Sequence, residues 1–191
     1  MKKPVIAALV LLVAACAATS QPSSDAIVPA VPPSAVFGSK PPAQLPLPAA
    51  RDAPADGFEV RMQRNACYGI CPAYELILHG NGEVDFRGID HVAVSGAQHG
   101  QADAQALAAL RAQLSDPAFE LWGSYTRGKP GCGTWATDMP AVRIEAYVGN
   151  GWQHIGHDLG CYQAPAALKA LEQAIDTAGR SEQWVSGRSS Y

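Results

Sequence analysis

The sequence predicts an α+β fold in two layers, with an antiparallel sheet of about six strands and two helices on one side. Apolar and polar residues alternate in several stretches between Phe58 and His157, as in half-buried strands. Gly-Asn-Gly stands twice between such stretches, at 80–82 and 149–151. Two further stretches carry apolar residues at helical spacing, and both come after hairpins. Hairpins with helices gathered on one side form a two-layer domain.

Two predicted strands precede the first Gly-Asn-Gly, and a third follows it. An Asn-Gly pair between alternating stretches favours a tight hairpin, because both residues tolerate positive φ. We expect the stretch from Ile89 to Val94 to continue the sheet after Gly88. The alternating apolar positions are Phe58, Val60 and Met62, then Tyr74, Leu76 and Leu78, then Val84 and Phe86.

The first helix is predicted to begin near Asp103, whose side chain is a favourable N-cap. Leu107, Leu110 and Leu114 follow at helical spacing and share one face. Pro117 ends the helix shortly afterwards, because a proline cannot continue the hydrogen-bonding pattern.

The second hairpin runs from Val142 to His157 around residues 149–151, and the second helix follows it. Pro165 near the first turn and Gly179 as a C′ residue are typical of helix ends. The helix presents Leu168, Leu171 and Ile175 on one face.

The first 15 residues resemble a bacterial lipoprotein signal peptide. Two lysines precede a short uncharged apolar stretch at 5–13, which is shorter than the ~20 residues of a membrane span. Val-Ala-Ala then stands before Cys16, so the resemblance implies lipid on its thiol and cleavage before it. Ala17 in place of aspartate favours the outer membrane. Two or three acyl chains would make a lasting membrane anchor.

Residues 16–56 are predicted to be a disordered tether, because nine of the 15 prolines lie there among Ala, Ser and Gln. Such a composition buries too little apolar surface to offset the entropy of ordering. Residues 57–180 form a single predicted domain, and 181–191 a flexible tail. The domain therefore faces the periplasm or the cell surface.

The charge of the mature chain excludes nucleic acid as the partner. Without the two lysines of the signal peptide, 14 − 2 = 12 basic residues face 17 acidic ones, a net charge of −5. A nucleic-acid binder would show a basic patch. Arg61 and Arg64 come nearest to one, and we expect both on a solvated strand face.

The four cysteines beyond Cys16 predict disulfides, since the chain is exported. Cys132 and Cys161 flank the second hairpin, whose ladder brings the flanks together, and this bridge would contribute roughly 3.6 kcal/mol. Cys67 and Cys71 flank a tripeptide with glycine at its centre, and that bridge is worth roughly 2 kcal/mol. The predicted pairs are Cys67–Cys71 and Cys132–Cys161.

The chain resembles domain-of-unknown-function family 6438 over roughly residues 58 to 178. Its C-x-G-x-C-P-x-Y motif is matched from Cys67 to Tyr74. A Gly-Asn-Gly hairpin, Gly88 and Gly96, a helix, an aromatic stretch and Thr-Asp-x-Pro at 137–140 follow in the same order. The resemblance implies no activity. Lipoprotein signals are common among its members, which agrees with Cys16.

Four residues are candidates for binding a partner. Two lie in the cysteine motif, one in the Thr-Asp-x-Pro motif, and one is a tyrosine that strand alternation points outward. Tyrosine is enriched among interface anchors, and aspartate caps turns readily. They are Tyr68, Tyr74, Asp138 and Tyr147.

A copper or thiol-redox protein is the first alternative, because C-x-x-x-C-P also occurs in copper-delivering Sco-type proteins of the thioredoxin superfamily. Cys67 and Cys71 would then bind Cu(I) with His154. The context disagrees, since Cys71 precedes an alternating strand and no parallel β/α pattern surrounds it. His154 and His157 should point to opposite faces of their strand, and we expect both to be exposed.

The sequence thus favours a non-enzymatic binding or scaffolding module of the cell envelope, without a cofactor. Its partners would be the membrane, through the lipid, and an envelope protein or small ligand. A hydrolase is the second alternative, although the sequence has no nucleophile elbow, His-Glu-x-x-His helix or phosphate loop. A deep polar pocket would favour the hydrolase, and an apolar surface patch the binding module.

Overall fold

The computed structural model describes residues 52–149 and 151–187. It confirms the α+β class, with helices packed on a mixed sheet of seven strands in the order β4-β3-β2-β1-β6-β7-β5. The strands are β1 Glu59–Arg64, β2 Ala73–His79, β3 Glu83–Asp90, β4 Gly96–Gln101, β5 Gly123–Tyr125, β6 Ala141–Val148 and β7 Gly151–Asp158. The helices are α1 Ala104–Leu114, α2 Ala166–Gly179 and α3 Glu182–Val185.

The core lies between the central strands and the two long helices. Directly paired residues of antiparallel strands share a face, so the pairing builds continuous rows across the sheet. One such row consists of Leu76, Met62, Ile144 and Ile155 on β2, β1, β6 and β7. All four are at most 1% exposed and face the helices. The alternation in the sequence therefore corresponds to one buried and one open face.

The two long helices form where the sequence predicts them. The Asp103 side chain accepts a hydrogen bond from the Ala106 N–H at 2.9 Å and caps α1. Leu168, Leu171 and Ile175 are fully buried on α2. Gly179 is not the C′ residue predicted, because it is the last helical residue and Arg180 takes the left-handed conformation.

Packing explains why a glycine ends α2. A Cβ on Gly179 would lie 2.8 Å from Leu76 Cδ2 and 2.9 Å from Leu78 Cδ2. These distances are shorter than carbon atoms tolerate, so the absence of a side chain lets α2 approach β2 closely.

The edges of the sheet differ from the prediction. The stretch from Ile89 to Val94 is not one strand, because β3 ends at Asp90 and residues 91–94 are irregular. Gly96–Gln101 instead form β4, antiparallel to β3, which alternation could not predict because the segment is rich in Gly and Gln. The sheet is also not purely antiparallel, since Gly123–Tyr125 pair in parallel with β7.

The chain continues as ordered structure past residue 180, so the expectation of a flexible tail from 181 is wrong as far as residue 187. Trp184 on α3 is only 8% exposed and stacks on Phe86, with ring centroids 4.9 Å apart. The backbone of Ala93 and Val94 donates to the carbonyls of Val185 and Trp184. This short helix therefore closes the core beside β3 and β4.

The signal peptide, Cys16 and the tether up to residue 51 lie outside the described residues. The end of the predicted tether forms a turn before β1, in which the Gly57 N–H donates to the Pro54 carbonyl at 2.9 Å. In the part of the chain that is described, no helix has the length and apolar content to cross a membrane.

Gly88 provides a test of how tightly the β3–β4 hairpin is packed. An added Cβ would overlap the carbonyl oxygen of Val94 and lie 2.8 Å from Val92 Cγ2. We expect Gly88→Ala to lower the free energy of unfolding by about 1–3 kcal/mol, because backbone must move to admit the methyl group. Urea denaturation of the purified domain measures this change.

Gly151→Ala is the matched control, because a Cβ at Gly151 meets no atom within 4 Å. Its free energy of unfolding should stay within about 0.5 kcal/mol of the parent. Equal stabilities for the two variants would show that residues 91–95 give way without cost, contrary to this account.

Candidate functional site

Three loops meet at one end of the sheet, and we call them together the loop end. They are residues 65–72 between β1 and β2, 126–140 between β5 and β6, and 159–165 after β7. The pairings Arg64 with Tyr74, Arg64 with Val142, and Ala141 with Asp158 bring the corresponding strand ends together. The loops therefore lie side by side although they are up to 100 residues apart in the chain.

Large apolar side chains are exposed at this end. The same end of β3 adds Ile89, since Asp90 pairs with Ala73 at the start of β2. Within the described residues, the exposed large apolar side chains all lie on these loops or beside them. They are Tyr68 (89% exposed), Ile70 (84%), Tyr162 (68%), Ile89 (47%) and Met139 (45%).

Two disulfides hold the loop end, with the pairing that the sequence predicts. Cys67 and Cys71 are 5.6 Å apart between Cα atoms, and the three residues between them carry Tyr68 and Ile70. Cys132 and Cys161, with Cα atoms 4.4 Å apart, join the second and third loops and are 1% and 4% exposed. The first bridge is half-buried and the second is part of the core.

Backbone hydrogen bonds connect the two family-like motifs. The Tyr68 N–H donates to the Asp138 carbonyl at 3.1 Å, and the Asn65 N–H to the Ala141 carbonyl at 2.9 Å. Asp138 has φ of 65°, a conformation that aspartate tolerates better than most residues, and its carboxylate accepts from the Thr137 hydroxyl at 2.7 Å. The structure thus brings Tyr68 and Asp138 together, and both are exposed.

Beneath the loop end, α2 covers a set of polar side chains that we call the polar cluster. Its centre is Asp176, which accepts from the Tyr74 hydroxyl at 2.6 Å, from Arg64 Nη2 at 2.8 Å and from the Ser181 hydroxyl at 2.6 Å. One turn earlier, Glu172 accepts from Arg64 Nη1 at 3.2 Å. Glu172 also lies 2.6 Å from His157 Nδ1.

The sheet places these partners in one row. Tyr74, Arg64, Val142 and His157 are paired in sequence across β2, β1, β6 and β7. The row follows the apolar rows of the core and is the last before the loops, so its side chains also face α2. Glu172 and Asp176 are four residues apart and therefore point at the row from the same helix face.

Burial and charge shift the ionisation of two members. Burial alone would lower the pKa of the Arg64 guanidinium, but Asp176, Tyr74 and Glu172 together outweigh it and the pKa is raised. Burial raises the pKa of the Tyr74 hydroxyl, and the Asp176 charge raises it further. Arg64 is thus charged and Tyr74 is a neutral donor at physiological pH. Both donate to the Asp176 carboxylate, so the buried charge and the buried hydroxyl each have a partner.

Several sequence predictions need correction at this cluster. Arg64 is not on a solvated face, because only 19% of its side chain is exposed and it lies under α2, whereas Arg61 lies on the open face. His157 is 3% exposed and not a solvated hairpin histidine. Tyr74, a candidate binding residue, is also 3% exposed and offers no surface to a partner.

The open face of the sheet carries the remaining candidates. Tyr147 is half-buried, and its ring packs edge-on against Trp152 at 5.5 Å between centroids. His154 is exposed and paired opposite Glu145, several residues from the loop end, so the sheet does not bring it to Cys67 and Cys71. Within residues 52–149 and 151–187, no group of three His, Cys, Asp or Glu side chains could hold a metal ion.

Acidic and histidine side chains also pair on this face. Asp85 lies 2.9 Å from His79 Nε2 and 2.6 Å from His99 Nδ1. The hydrogen bond with His79, helped by the one with His99, holds the pKa of the Asp85 carboxyl below its ordinary value. Glu59 lies on the other side of His79, 3.4 Å from its Nδ1. These pairs link β1 to β4 across the open face.

Strand parity and helix spacing could have revealed the polar cluster. Arg64 has the parity of Val60 and Met62, and His157 that of Ile155, so both belong to the buried face. Glu172 and Asp176 follow Leu171 and Ile175 within the apolar stripe of α2.

Removal of the central carboxylate tests the cluster. We expect Asp176→Ala to lower the free energy of unfolding by about 3–5 kcal/mol, because the buried Tyr74 hydroxyl would lose its acceptor and the buried Arg64 charge would keep only the Glu172 carboxylate. Equilibrium denaturation followed by circular dichroism measures the loss. Gln173→Ala, exposed on the same helix, should change it by less than about 0.5 kcal/mol. A loss below about 1 kcal/mol for Asp176→Ala would mean that water replaces the carboxylate.

Comparison with known proteins places the domain in a family without assigning it a reaction. Curated protein sequences give no significant match to the chain. The family model described as "Domain of unknown function (DUF6438)" matches residues 58–179, which include β1 to α2 with both disulfides and the polar cluster up to Asp176. Since this match covers well over half of the sequence, the chain belongs to the DUF6438 family.

Proposed function

We propose that the chain is an exported bacterial lipoprotein whose domain is a non-enzymatic binding or scaffolding module of the cell envelope. The loop end is its contact surface. The observation that carries the proposal is the concentration of exposed apolar side chains at this end. A folded domain exposes such side chains together mainly where something else covers them.

The composition of the three loops supports a contact surface. Their 30 residues contain only three charged side chains, Arg127, Lys129 and Asp138. Depletion of charge with enrichment of tyrosine, methionine and other apolar residues is the pattern of interface centres. Two further carboxylates, Asp90 and Asp158, stand at the ends of β3 and β7 beside these loops.

The rigidity of the loop end also suits binding. Disulfides close the ring around Tyr68 and Ile70 and join the second loop to the third. The polar cluster fixes the strand ends from below. Side chains that are already held in place lose less conformational freedom when a partner binds, so a small surface is sufficient.

The position of the chain entry agrees with this role. Residues 52–57 lie before β1, at the opposite end of the sheet from the loops. If Cys16 is lipidated, the tether reaches the domain at that opposite end. The tether then does not cover the loop end, which stays accessible to a partner.

Cross-linking in cells tests the proposal. A photoreactive amino acid at position 68, 70 or 162 should give discrete adducts, with protein or with lipid, when the lipoprotein is expressed in a bacterial envelope. The same amino acid at exposed Gln113 on α1 is the control and should give none. If the loop positions form no more adduct than position 113, the loop end is not a contact surface and the proposal fails.

A thiol-redox role is the second candidate, and the half-buried state of Cys67–Cys71 is the observation that favours it. Alkylation of free thiols followed by mass spectrometry distinguishes the redox role from the binding module. The binding module predicts that no cysteine labels until the protein is denatured and strongly reduced, since both bridges are then structural. If mild reductant makes Cys67 and Cys71 label in the folded protein while Cys132 and Cys161 stay protected, the redox role is favoured instead.

A further inference from the structure

We propose that the loop end binds the surface of an anionic phospholipid bilayer, with Tyr68 and Ile70 inserted among the lipid headgroups. This inference rests on the proposed function and names its partner. It assigns the domain a second membrane contact, independent of any lipid on Cys16. Four features of the described residues and of the sequence support it.

The first feature is the shape of the 65–72 loop. Tyr68 and Ile70 are 89% and 84% exposed, so almost nothing beside them supports or covers their side chains. They project from a ring of five residues closed by Cys67 and Cys71. A folded protein partner would need a pit to receive such a tip, whereas lipid headgroups move apart around it.

The second feature is the chemistry of the exposed side chains. A tyrosine ring is apolar with a polar tip and suits the boundary between headgroups and acyl chains, and isoleucine suits the layer just below. Met139 and Tyr162, on the neighbouring loops, would contact the same surface at 45% and 68% exposure. Four side chains of this kind make a shallow and reversible attachment.

The third feature is charge. Arg127 and Lys129 are exposed on the second loop, and the Arg127 guanidinium lies 4.5 Å over the ring of Trp135. Asp138 is the single acidic residue of the three loops, although acidic residues outnumber basic ones in the whole chain. Basic side chains next to apolar ones favour anionic headgroups. Two more carboxylates stand at the adjoining strand ends: Asp158 accepts from Trp135 Nε1 and from the Gly160 N–H, and Asp90 lies beside His91. Arg127 and Lys129 are therefore the cations that this end offers to anionic headgroups.

The fourth feature is the length of chain before the domain. Residues 17–51 could span at most ~120 Å at about 3.4 Å per residue, whereas the strands of the sheet are only ~25 Å long. The loop end can therefore reach the membrane in which Cys16 would be anchored. A tethered contact acts at a high effective concentration, so weak affinity is sufficient.

Vesicle binding tests the inference with the unlipidated chain from Ala17 onward, so that the anchor cannot contribute. We expect it to co-sediment with vesicles of phosphatidylglycerol and phosphatidylethanolamine, and less with phosphatidylcholine alone. Tyr68→Ser with Ile70→Ser should lower the partition coefficient by roughly fivefold or more on both vesicle types. Arg127→Gln with Lys129→Gln should lower it on the anionic vesicles alone, as should added salt.

Ala109→Ser with Gln113→Ser is the matched control, because both residues are exposed on α1 and away from the loop end. It should bind as the parent does, and circular dichroism should show all variants folded. Absence of binding at millimolar lipid, or binding that the Tyr68 and Ile70 changes leave intact, overturns the inference. If cross-linking in cells nevertheless gives protein adducts at positions 68 and 70, the proposed function stands with a protein partner. If neither experiment gives a contact, both fail.

Discussion

The ion pairs between α2 and the last buried row of the sheet determine how the domain is organised. Arg64 reaches Glu172 and Asp176 on successive turns of the helix, while Tyr74 and His157 bind the same two carboxylates from either side. A buried charge is stable only when its partners stay in place, so the helix cannot slide without leaving a charge unpaired. The cluster thereby fixes the register of α2 on β1, β2 and β7. Apolar packing alone would specify that register less strictly.

The loops depend on this constraint because they begin where the row ends. The first loop leaves β1 immediately after Arg64 and returns to β2 immediately before Ala73 and Tyr74. The third leaves β7 immediately after His157 and Asp158, and its far end leads into α2. The disulfides then determine the shape within each loop and between neighbouring loops. The polar cluster supports the strand ends, and the Cys67–Cys71 disulfide closes the first loop. Together they hold Tyr68 and Ile70 in exposed positions.

Much of this architecture could be predicted from the sequence, because period-two alternation and helical spacing report burial directly. The central strands, both long helices and both cysteine pairs have such patterns. β4 has no such pattern, because its Gly and Gln residues contribute little apolar surface to either face. β5 is only three residues long and forms through parallel pairing with β7, which lies later in the chain. The polar cluster is not predicted from the sequence, because charged side chains usually lie in solvent. Arg64 and His157 alternate in phase with buried residues, but the strand pairing is needed to show that charges on β1, β7 and α2 meet.

The distribution of chemistry in the domain is one of the grounds for proposing a binding role. The titratable groups of the polar cluster are engaged with one another: Asp176 accepts four hydrogen bonds, from Arg64, Tyr74 and Ser181. Glu172 contacts both Arg64 and His157. A general acid or base must instead keep an atom available to a substrate, and a nucleophile needs a base beside it. The loop end offers exposed apolar side chains, two cations, the Asp138 carboxylate and a disulfide ring. Such a surface can stabilise a bound partner by covering apolar area, and a satisfied polar interior beneath an apolar tip is the arrangement on which we base the proposal of a binding role.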